Sequence, residues 1–311
     1  MGPTPARTNS WGIKWADSLL LLTAFLWGVN FSVVKFALVD IPPIAFVGLR
    51  FLIASATMLV LAHSFGHSLK FQRRHLPHLI GLGLLGNTAY QLFFVFGISL
   101  TTAENSSLIL ATAPAWVALT GTLMGTEKVE PEGWLGIGLS LLGISLIISG
   151  SDRMADFPFG ASSLGGDVLV LAATLCWSLY TLLVHPMTRH YSSVSVTTIT
   201  TAIGTVPLVL VGVPTAVGLT WTDIPSAAWA ALAFSGVLAI GLAYLFWNYG
   251  VSKLGSTRTS IYSNLSLPAA LLTAWLWLQE TLTPLQWCGS ILAMAGVILA
   301  RRFTHHQIDT E

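Results

Sequence analysis

The sequence predicts an all-α integral membrane protein with ten transmembrane helices, arranged as two inverted five-helix repeats. The first observation is composition, because 54% of the residues are apolar and 9% are charged, whereas soluble domains carry about 25% charged residues. The second is the mean hydropathy of +0.74. The third is length, since ten spans of about 20 residues with short loops account for nearly all of a 311-residue chain.

An internal repeat indicates that the spans form two copies of one unit. Asp17 and Trp27 recur 150 positions later as Asp167 and Trp177. Five further residues recur 153 positions later: Glu127, Pro131, Trp134, Gly136 and Gly143 return as Glu280, Pro284, Trp287, Gly289 and Gly296. A fixed period of this kind indicates one structural unit used twice. We therefore expect one five-helix half over residues 17–150 and a second over 167–302.

Hydropathy over a window of about 19 residues places ten segments. Numbered 1 to 10, they are 17–38, 44–64, 77–99, 103–124, 132–150, 167–186, 193–212, 227–250, 256–278 and 284–301. Five is odd, so the second half enters the membrane from the opposite side. A cytoplasmic N-terminus puts 11 of the 14 Lys and Arg residues on the inner side, as the positive-inside bias requires. We expect a multi-pass protein of the cell (inner) membrane with both termini in the cytoplasm.

The sequence resembles the drug/metabolite transporter superfamily, specifically its EamA-type exporters. The resemblance lies in "GTEKVEPEGWLGIGLSLLGISLI" and "LQETLTPLQWCGSILAMAGVILA", which are similar to the junction that ends each half of those proteins, and in "LLTAFLWGVNFSVVK" and "PPIAFVGLRFLIA". It implies ten spans in two inverted halves and export of small metabolites, such as amino acids, from a bacterial cell. The second half departs from the first at Thr200, which stands 150 positions after Arg50.

Segments 1, 3, 6 and 8 carry aromatic and amide residues at helical spacing. Trp27, Asn30 and Phe31 lie on one face of segment 1, and Trp177 and Tyr180 occupy the same positions of segment 6. Such faces can hold a ligand between aromatic walls and a few polar anchors; the alternative is helix packing with interfacial aromatics. The predicted substrate-binding residues are Trp27, Asn30, Phe31, Gln91, Phe94, Trp177, Tyr180, Tyr244, Trp247, Asn248 and Asn264.

Segment 2 contains one charged residue, Arg50, about six residues from its outer end. At 1.5 Å per residue this is a depth of roughly 9 Å. A buried charge needs a partner, and Glu104 at the outer start of segment 4 is the best-placed carboxylate. We expect an ion pair between Arg50 and Glu104, with charged-substrate binding or proton coupling as the alternative.

Segments 4 and 9 each contain a proline near the middle, Pro114 and Pro268. Each proline frees the carbonyl four residues earlier, at Leu110 and Asn264. Irregular backbone at membrane depth is tolerated mainly where it lines a cavity or is buried in protein. The two prolines are therefore predicted hinges in the cavity wall, and the alternative is an ordinary kink satisfied by neighbouring helices.

Segments 5 and 10 carry small residues at matching positions: Gly136 and Gly143, and Gly289 and Gly296. Small residues four or seven apart allow helices to approach closely. We expect these faces to serve helix packing or a homodimer contact. Glu127 and Glu280 precede Pro131 and Pro284 and are expected to stabilise a helix N-terminus.

The residues favour a secondary transporter over other classes of membrane protein. They form no arrangement typical of a catalytic site, a metal site or a cofactor site, and the scattered basic residues do not form a nucleic-acid-binding stripe. The expected partners are a small-molecule substrate and the lipid bilayer. The predicted function is export of amino acids or related zwitterionic or apolar metabolites by alternating access. A channel, a receptor or, less favoured, an intramembrane enzyme are the alternatives.

Overall fold

The computed structural model describes residues 10–100, 106, 109–149, 161–277 and 283–306, and most of these residues are helical. In the numbering of the predicted segments, the α-helices are Ser10–Ala37 (segment 1), Pro43–Ser64 (2), Leu76–Gly83 and Tyr90–Leu100 (3), Ala113–Leu123 (4), Pro131–Ser149 (5), Ala161–His190 (6), Ser193–Val217 (7), Ser226–Phe234 and Ala243–Leu254 (8), Ser256–Ser260 and Ser266–Trp277 (9) and Pro284–Arg302 (10).

Segments 3 and 8 are interrupted at equivalent places by π-helix, over Leu84–Ala89 and Ser235–Leu242. A π-helical turn holds an extra residue, is rare, and occurs frequently at functional sites. Shorter 3-10 turns cover Arg73–His75, Trp221–Asp223 and Ile261–Leu265. The paired π-helices were not predicted from the sequence, and they set the direction in which the following residues of segments 3 and 8 point.

A short antiparallel strand pair links the two halves outside the helices. Strand β1 is Glu127–Val129, between segments 4 and 5, and strand β2 is Thr304–His306, after segment 10. In the register, Glu127 pairs with His306 and Val129 with Thr304. The chain following segment 10 is thereby attached to the loop that precedes segment 5.

The distribution of apolar side chains is that of a membrane protein. Within the described ranges, seven helices are long and apolar enough to cross a membrane, and Ile109–Leu123 and Pro131–Ile147 are apolar but shorter. Large apolar side chains such as Leu210 and Ile291 are exposed on the outer faces. Soluble monomers rarely expose large apolar patches to water, so these faces are suited to contact with lipid. The prediction of a helical, multi-pass membrane protein is confirmed in this form; the count of ten crossings and their inversion stay predictions.

The two halves make equivalent contacts with each other. A Cβ atom added to Gly83 would lie 2.8 Å from the carbonyl oxygen of Thr200, and one added to Gly236 would lie 2.8 Å from the carbonyl oxygen of Arg50. Gly236 and Thr200 are the repeat counterparts of Gly83 and Arg50. Segment 3 therefore packs on segment 7 as segment 8 packs on segment 2, which is the pattern that the predicted repeat requires.

The glycines of segments 5 and 10 pack against one another. A Cβ atom on Gly143 would lie 2.6 Å from the carbonyl oxygen of Gly289, and one on Gly296 would lie 2.7 Å from that of Gly136. Only glycine permits such backbone proximity. The small-residue faces are thus used for packing within the chain, and a homodimer through the same glycines would require these two helices to separate.

One carboxylate joins three segments at the end of the molecule that contains Asp17. The Asp17 carboxylate accepts a hydrogen bond of 2.7 Å from the Tyr262 hydroxyl in segment 9 and forms an ion pair with Arg301 in segment 10. The ion pair is partly buried. Segments 1, 9 and 10 are therefore held together at this end by polar contacts.

Candidate functional site

Four predicted residues from segments 1, 6 and 8 meet in one group of rings. The ring centroid of Trp177 lies 5.8 Å from that of Trp27, 5.1 Å from that of Tyr244 and 5.5 Å from that of Trp247. We call Trp27, Trp177, Tyr244 and Trp247 the aromatic cluster. Rings at these separations attract one another beyond the effect of burial alone. The cluster joins one helix of the first half to two of the second.

Segment 3 extends the aromatic cluster through Tyr90. The Tyr90 ring lies 5.2 Å from Trp177 and stacks on Phe94 at 5.9 Å between centroids. Tyr90 was missed in the sequence, although its spacing of four from Phe94 puts both rings on one face of a helix. Tyr180, a predicted site residue, stacks on Trp177 at 5.4 Å.

The polar atoms around the cluster are hydrogen-bonded to neighbouring helices. Asn248 donates to the Tyr180 hydroxyl at 2.9 Å and to Thr197 Oγ1 at 2.8 Å. The Trp27 indole donates to the carbonyl oxygen of Ala239 at 2.9 Å. The Trp247 indole donates to Thr181 Oγ1 at 3.2 Å. These bonds fix the orientation of the rings, because buried donors retain their partners.

Arg50 reaches the cluster through two side-chain hydrogen bonds. Its guanidinium donates to Gln91 Oε1 at 2.5 Å, and the Gln91 amide donates to the Tyr244 hydroxyl at 3.4 Å. Arg50 is 6% exposed and lies within cation–π distance of two rings, those of Phe46 and Phe51. Its expected partner Glu104 lies outside the described residues. The predicted ion pair of Arg50 with Glu104 therefore stays a prediction, and Gln91 is a partner of Arg50 that the sequence did not indicate.

Several residues at this site contact their own repeat counterparts. Gln91 and Tyr244, which are 153 positions apart, share a hydrogen bond. Trp27 and Trp177, which are 150 apart, are in ring contact. A residue can touch its own counterpart only near the twofold axis that relates the copies. In the predicted inverted arrangement, the aromatic cluster and Gln91 would lie near the axis that relates the halves.

A third such pair lies between segments 2 and 7. The hydroxyl groups of Ser55 and Thr205, 150 positions apart, are 2.7 Å from each other. The Thr205 hydroxyl also lies 3.1 Å from the carbonyl oxygen of Phe51. These two helices make one of the most extensive contacts between the halves. Contacts between repeat counterparts therefore occur in the packing of segment 2 on segment 7 as well as at the cluster.

The cluster is closed in this conformation. Trp247 is 1% exposed, and Tyr180 and Tyr244 are also buried. The small cavity beside Gln91, also lined by Ile44 and Leu208, has a volume of about 10 Å³, close to the space that one water molecule needs. The larger cavity that the sequence predicts among these helices stays a prediction. Binding of a metabolite requires the rings or Gln91 to move.

The other predicted site residues lie in separate surroundings. Asn264 donates to Ser140 Oγ at 2.9 Å and so contacts segment 5 in place of the cluster. Asn30 Oδ1 is buried without a hydrogen-bond partner in the part of the chain that is described. The Phe31 side chain lies outside the described residues.

The predicted hinge prolines follow local breaks in their helices. Pro114 lies in the first turn of helix Ala113–Leu123, directly after a turn at Thr112. Pro268 lies in the first turn of helix Ser266–Trp277, directly after the 3-10 turn. Both prolines thus occupy positions where a missing backbone N–H costs little.

Glu127 stabilises a helix N-terminus, but not the one expected from the sequence. Its carboxylate accepts the backbone N–H groups of Ser256 and Thr257 at 2.5 and 2.7 Å, at the start of segment 9. Gly255 precedes them with a φ of 83°, in the region open to glycine. Glu127 is 4% exposed. It thus caps a helix of the other half, since β1 places it there, whereas Glu280 lies outside the described residues.

Comparison with known proteins gives a match over both halves. The model of the EamA-like transporter family matches residues 14–149 and 164–302. Among curated relatives, "Uncharacterized transporter YyaM" of Bacillus subtilis is 27% identical over 91% of this chain and 92% of its own length. "Probable terminal-alkyne amino-acid exporter" of Streptantibioticus cattleyicolor is 28% identical over 92% of this chain and 93% of its own.

A solved structure shares the fold. The crystal structure of a protein with 19% sequence identity superposes with a TM-score of 0.77, covering 92% of this chain and 98% of that one. In the described part of the chain, no group of three or more His, Cys, Asp or Glu residues is arranged to hold a metal ion. The family match and the names of the relatives indicate a transporter.

Proposed function

Because the chain belongs to the EamA-like transporter family, we propose that it is a secondary carrier that exports small metabolites across a bacterial inner membrane. Two inverted five-helix halves, over 17–150 and 167–302, enclose one site near the bilayer midplane. The halves rock about that site and open it to each side in turn. Both termini lie in the cytoplasm.

The contact between repeat counterparts at the aromatic cluster is the observation that carries the proposal. Trp27 meets Trp177 and Gln91 meets Tyr244, so the junction of the halves is also where the predicted binding residues converge. Inverted-repeat carriers bind substrate at this junction. A channel needs a continuous polar path instead, and the rings of the cluster would obstruct one.

The surroundings of the site favour amino acids or related zwitterionic or apolar compounds as substrates. Indole and phenol rings form its walls, and amide groups of Gln91 and Asn248 supply hydrogen bonds. A mainly apolar site with a few polar anchors suits a small metabolite. One relative has the printed name of an amino-acid exporter, which supports the same class.

Movement of the halves requires helices that bend or slide without breaking their packing. The breaks before Pro114 and Pro268 leave segments 4 and 9 with few backbone hydrogen bonds to lose on bending. The π-helices of segments 3 and 8 provide a second matched pair of irregular turns. We assign bending to these four places and treat the other segments as rigid.

Counterflow in proteoliposomes tests the proposal. Purified protein is reconstituted into vesicles loaded with one unlabelled amino acid at high concentration, and uptake of the same labelled compound is followed across a panel of amino acids. A carrier gives a transient, saturable accumulation for at least one member. Unitary currents without counterflow would identify a channel, and absence of any flux across the panel would reject the carrier.

A further inference from the structure

Arg50 lies in the interior of segment 2, and no acidic partner is found for it among the described residues. Among the described residues, the guanidinium has no carboxylate within ion-pair distance, its amide partner is Gln91, and its Nε is buried without a hydrogen bond. Two other charged groups do have compensating partners. Asp17 forms an ion pair with Arg301, and the Glu127 carboxylate accepts two backbone N–H groups. Within the described ranges, this cation therefore has no neutralising charge beside it.

An uncompensated cation in an apolar setting is unfavourable for folding and therefore calls for another explanation. The rings of Phe46 and Phe51 lie 5.5 and 6.0 Å from the guanidinium carbon, and cation–π contact replaces only part of its hydration. The repeat counterpart Thr200 bonds to the backbone of its own helix instead. The charge is thus not repeated at the equivalent position of the second half.

We propose that Arg50 binds the carboxylate group of the transported substrate, so that the carrier takes carboxylate-bearing metabolites. This inference rests on the proposed carrier function. A guanidinium matches a carboxylate through two parallel N–H···O bonds. The Gln91 Oε1 atom occupies one carboxylate-oxygen position in the closed state. Substrate entry displaces it, and the amide then turns toward the incoming group.

The charge count around the site favours a carboxylate over a phosphate. The other described Lys and Arg residues lie at or near helix ends or in loops, as Lys128, Arg189 and Arg301 illustrate. A phosphate ester would require several cations at the same depth. The rest of the substrate contacts the aromatic cluster, which Gln91 joins to Arg50. An amino acid or organic acid with an apolar side chain suits this site, because its carboxylate can bind Arg50 while its apolar part contacts the aromatic cluster.

The experiment compares acids with their amides in the counterflow assay described above. Unlabelled L-leucine and L-phenylalanine are tested as competitors beside L-leucinamide and L-phenylalaninamide, in wild type, Arg50→Gln, Arg50→Lys and Arg74→Gln. Arg74 is an exposed cation at the other end of the neighbouring segment and serves as the matched control. We expect the acids to compete and the amides to fail. Arg50→Gln should weaken the acids by roughly thirtyfold or more, Arg50→Lys should retain part of the effect, and Arg74→Gln should match wild type.

A second measurement separates binding from a structural role without any substrate. Removal of an uncompensated buried charge should leave the melting temperature of Arg50→Gln in detergent equal to or above that of wild type. A marked fall would show that Arg50 is held by a structural ion pair, and it would overturn the proposal. Equal competition by acids and amides, with Arg50→Gln fully active, would also overturn it while leaving the carrier function intact. Absence of counterflow in wild type would reject both.

Discussion

At the scale of single residues, hydrogen bonds orient the site more than they stabilise it. The bond from Gln91 to the Tyr244 hydroxyl is long, at 3.4 Å, and such bonds contribute little to folding. The same bond connects Arg50 to the aromatic cluster. Its main effect is therefore on the direction in which the Gln91 side chain points.

Substitution of Tyr244 by Phe tests this orienting role. Loss of the hydroxyl should reduce the free energy of unfolding by less than about 1 kcal/mol, because the ring packing is retained. Counterflow should fall by roughly tenfold, which corresponds to about 1.4 kcal/mol in the transport barrier. Detergent melting and the proteoliposome assay measure the two effects. Tyr249→Phe is the control, since Tyr249 is only partly buried and is not one of the rings of the aromatic cluster. Full activity of Tyr244→Phe would contradict the assignment.

Sequence alone located the rings but not their partners. Trp27, Trp177 and Tyr244 could be predicted because the repeat marks equivalent positions and helical spacing puts them on inner faces. Thr181 and Thr197 could not be predicted, because no sequence pattern distinguishes a buried threonine that accepts a hydrogen bond from one that does not. Their donors, the Trp247 indole and the Asn248 amide, are brought to them by tertiary packing. Glu127 was tied to the wrong helix because capping across halves depends on tertiary packing.

At the scale of elements, the helix boundaries follow prolines only in part. Segments 5 and 10 start at Pro131 and Pro284, as expected for a residue that suits the first turn. Segment 6 was expected to end at Pro186, yet its helix continues to His190. A proline removes one backbone bond, and surrounding helices can hold the following turn in place.

The π-helices were beyond prediction for a related reason. The hydrophobic pattern of segments 3 and 8 has no fixed period that would distinguish an inserted residue from an ordinary helix. Gly86 and Gly236 are local signs, because a Cβ atom added to either would collide with another helix, at Gly236 with the carbonyl oxygen of Arg50. The choice of π-helix therefore depends on tertiary contacts.

Close packing of segments 5 and 10 gives a prediction with a control in the same helix. Gly143→Ala places a Cβ 2.6 Å from the carbonyl oxygen of Gly289, and since backbone cannot yield easily, the cost should be about 1–3 kcal/mol. At Gly138 an added Cβ meets nothing within 4 Å, so Gly138→Ala should be neutral or stabilising by up to about 1 kcal/mol. Unfolding in mixed micelles with rising SDS measures both. Equal losses from the two variants would refute the close approach of these helices.

At the scale of the whole molecule, the ion pair of Asp17 and Arg301 distinguishes the two ends. Asp17 has a counterpart in Asp167, but the position equivalent to Arg301 is Ile148. The contact among segments 1, 9 and 10 is therefore not reproduced by the same residues at the opposite end. In the proposed orientation it holds the cytoplasmic end together.

Neutralising this contact should loosen the cytoplasmic end selectively. A partly exposed ion pair contributes roughly 1 kcal/mol, so Asp17→Asn should raise amide hydrogen exchange about fivefold at the start of segment 1 and the end of segment 10. Mass spectrometry of the exchanged protein measures the rates. Asp40→Asn, at the opposite end of segment 1, is the control and should leave those peptides unchanged. A uniform increase over the whole chain would indicate general destabilisation and contradict a local role.

The reciprocal packing of Gly83 on Thr200 and Gly236 on Arg50 has an energetic consequence for a carrier built this way. If the two halves had identical sequences, exchanging their conformations would convert the inward-open state into the outward-open state. These two states would then have equal free energies. A preference for one of these states in the absence of substrate must then come from positions at which the sequences of the two halves differ. The two halves differ at Arg50 and Thr200, and at Arg301 and Ile148. Residue differences of this kind, and not the residues that the halves have in common, therefore determine which side of the membrane the site opens to at rest.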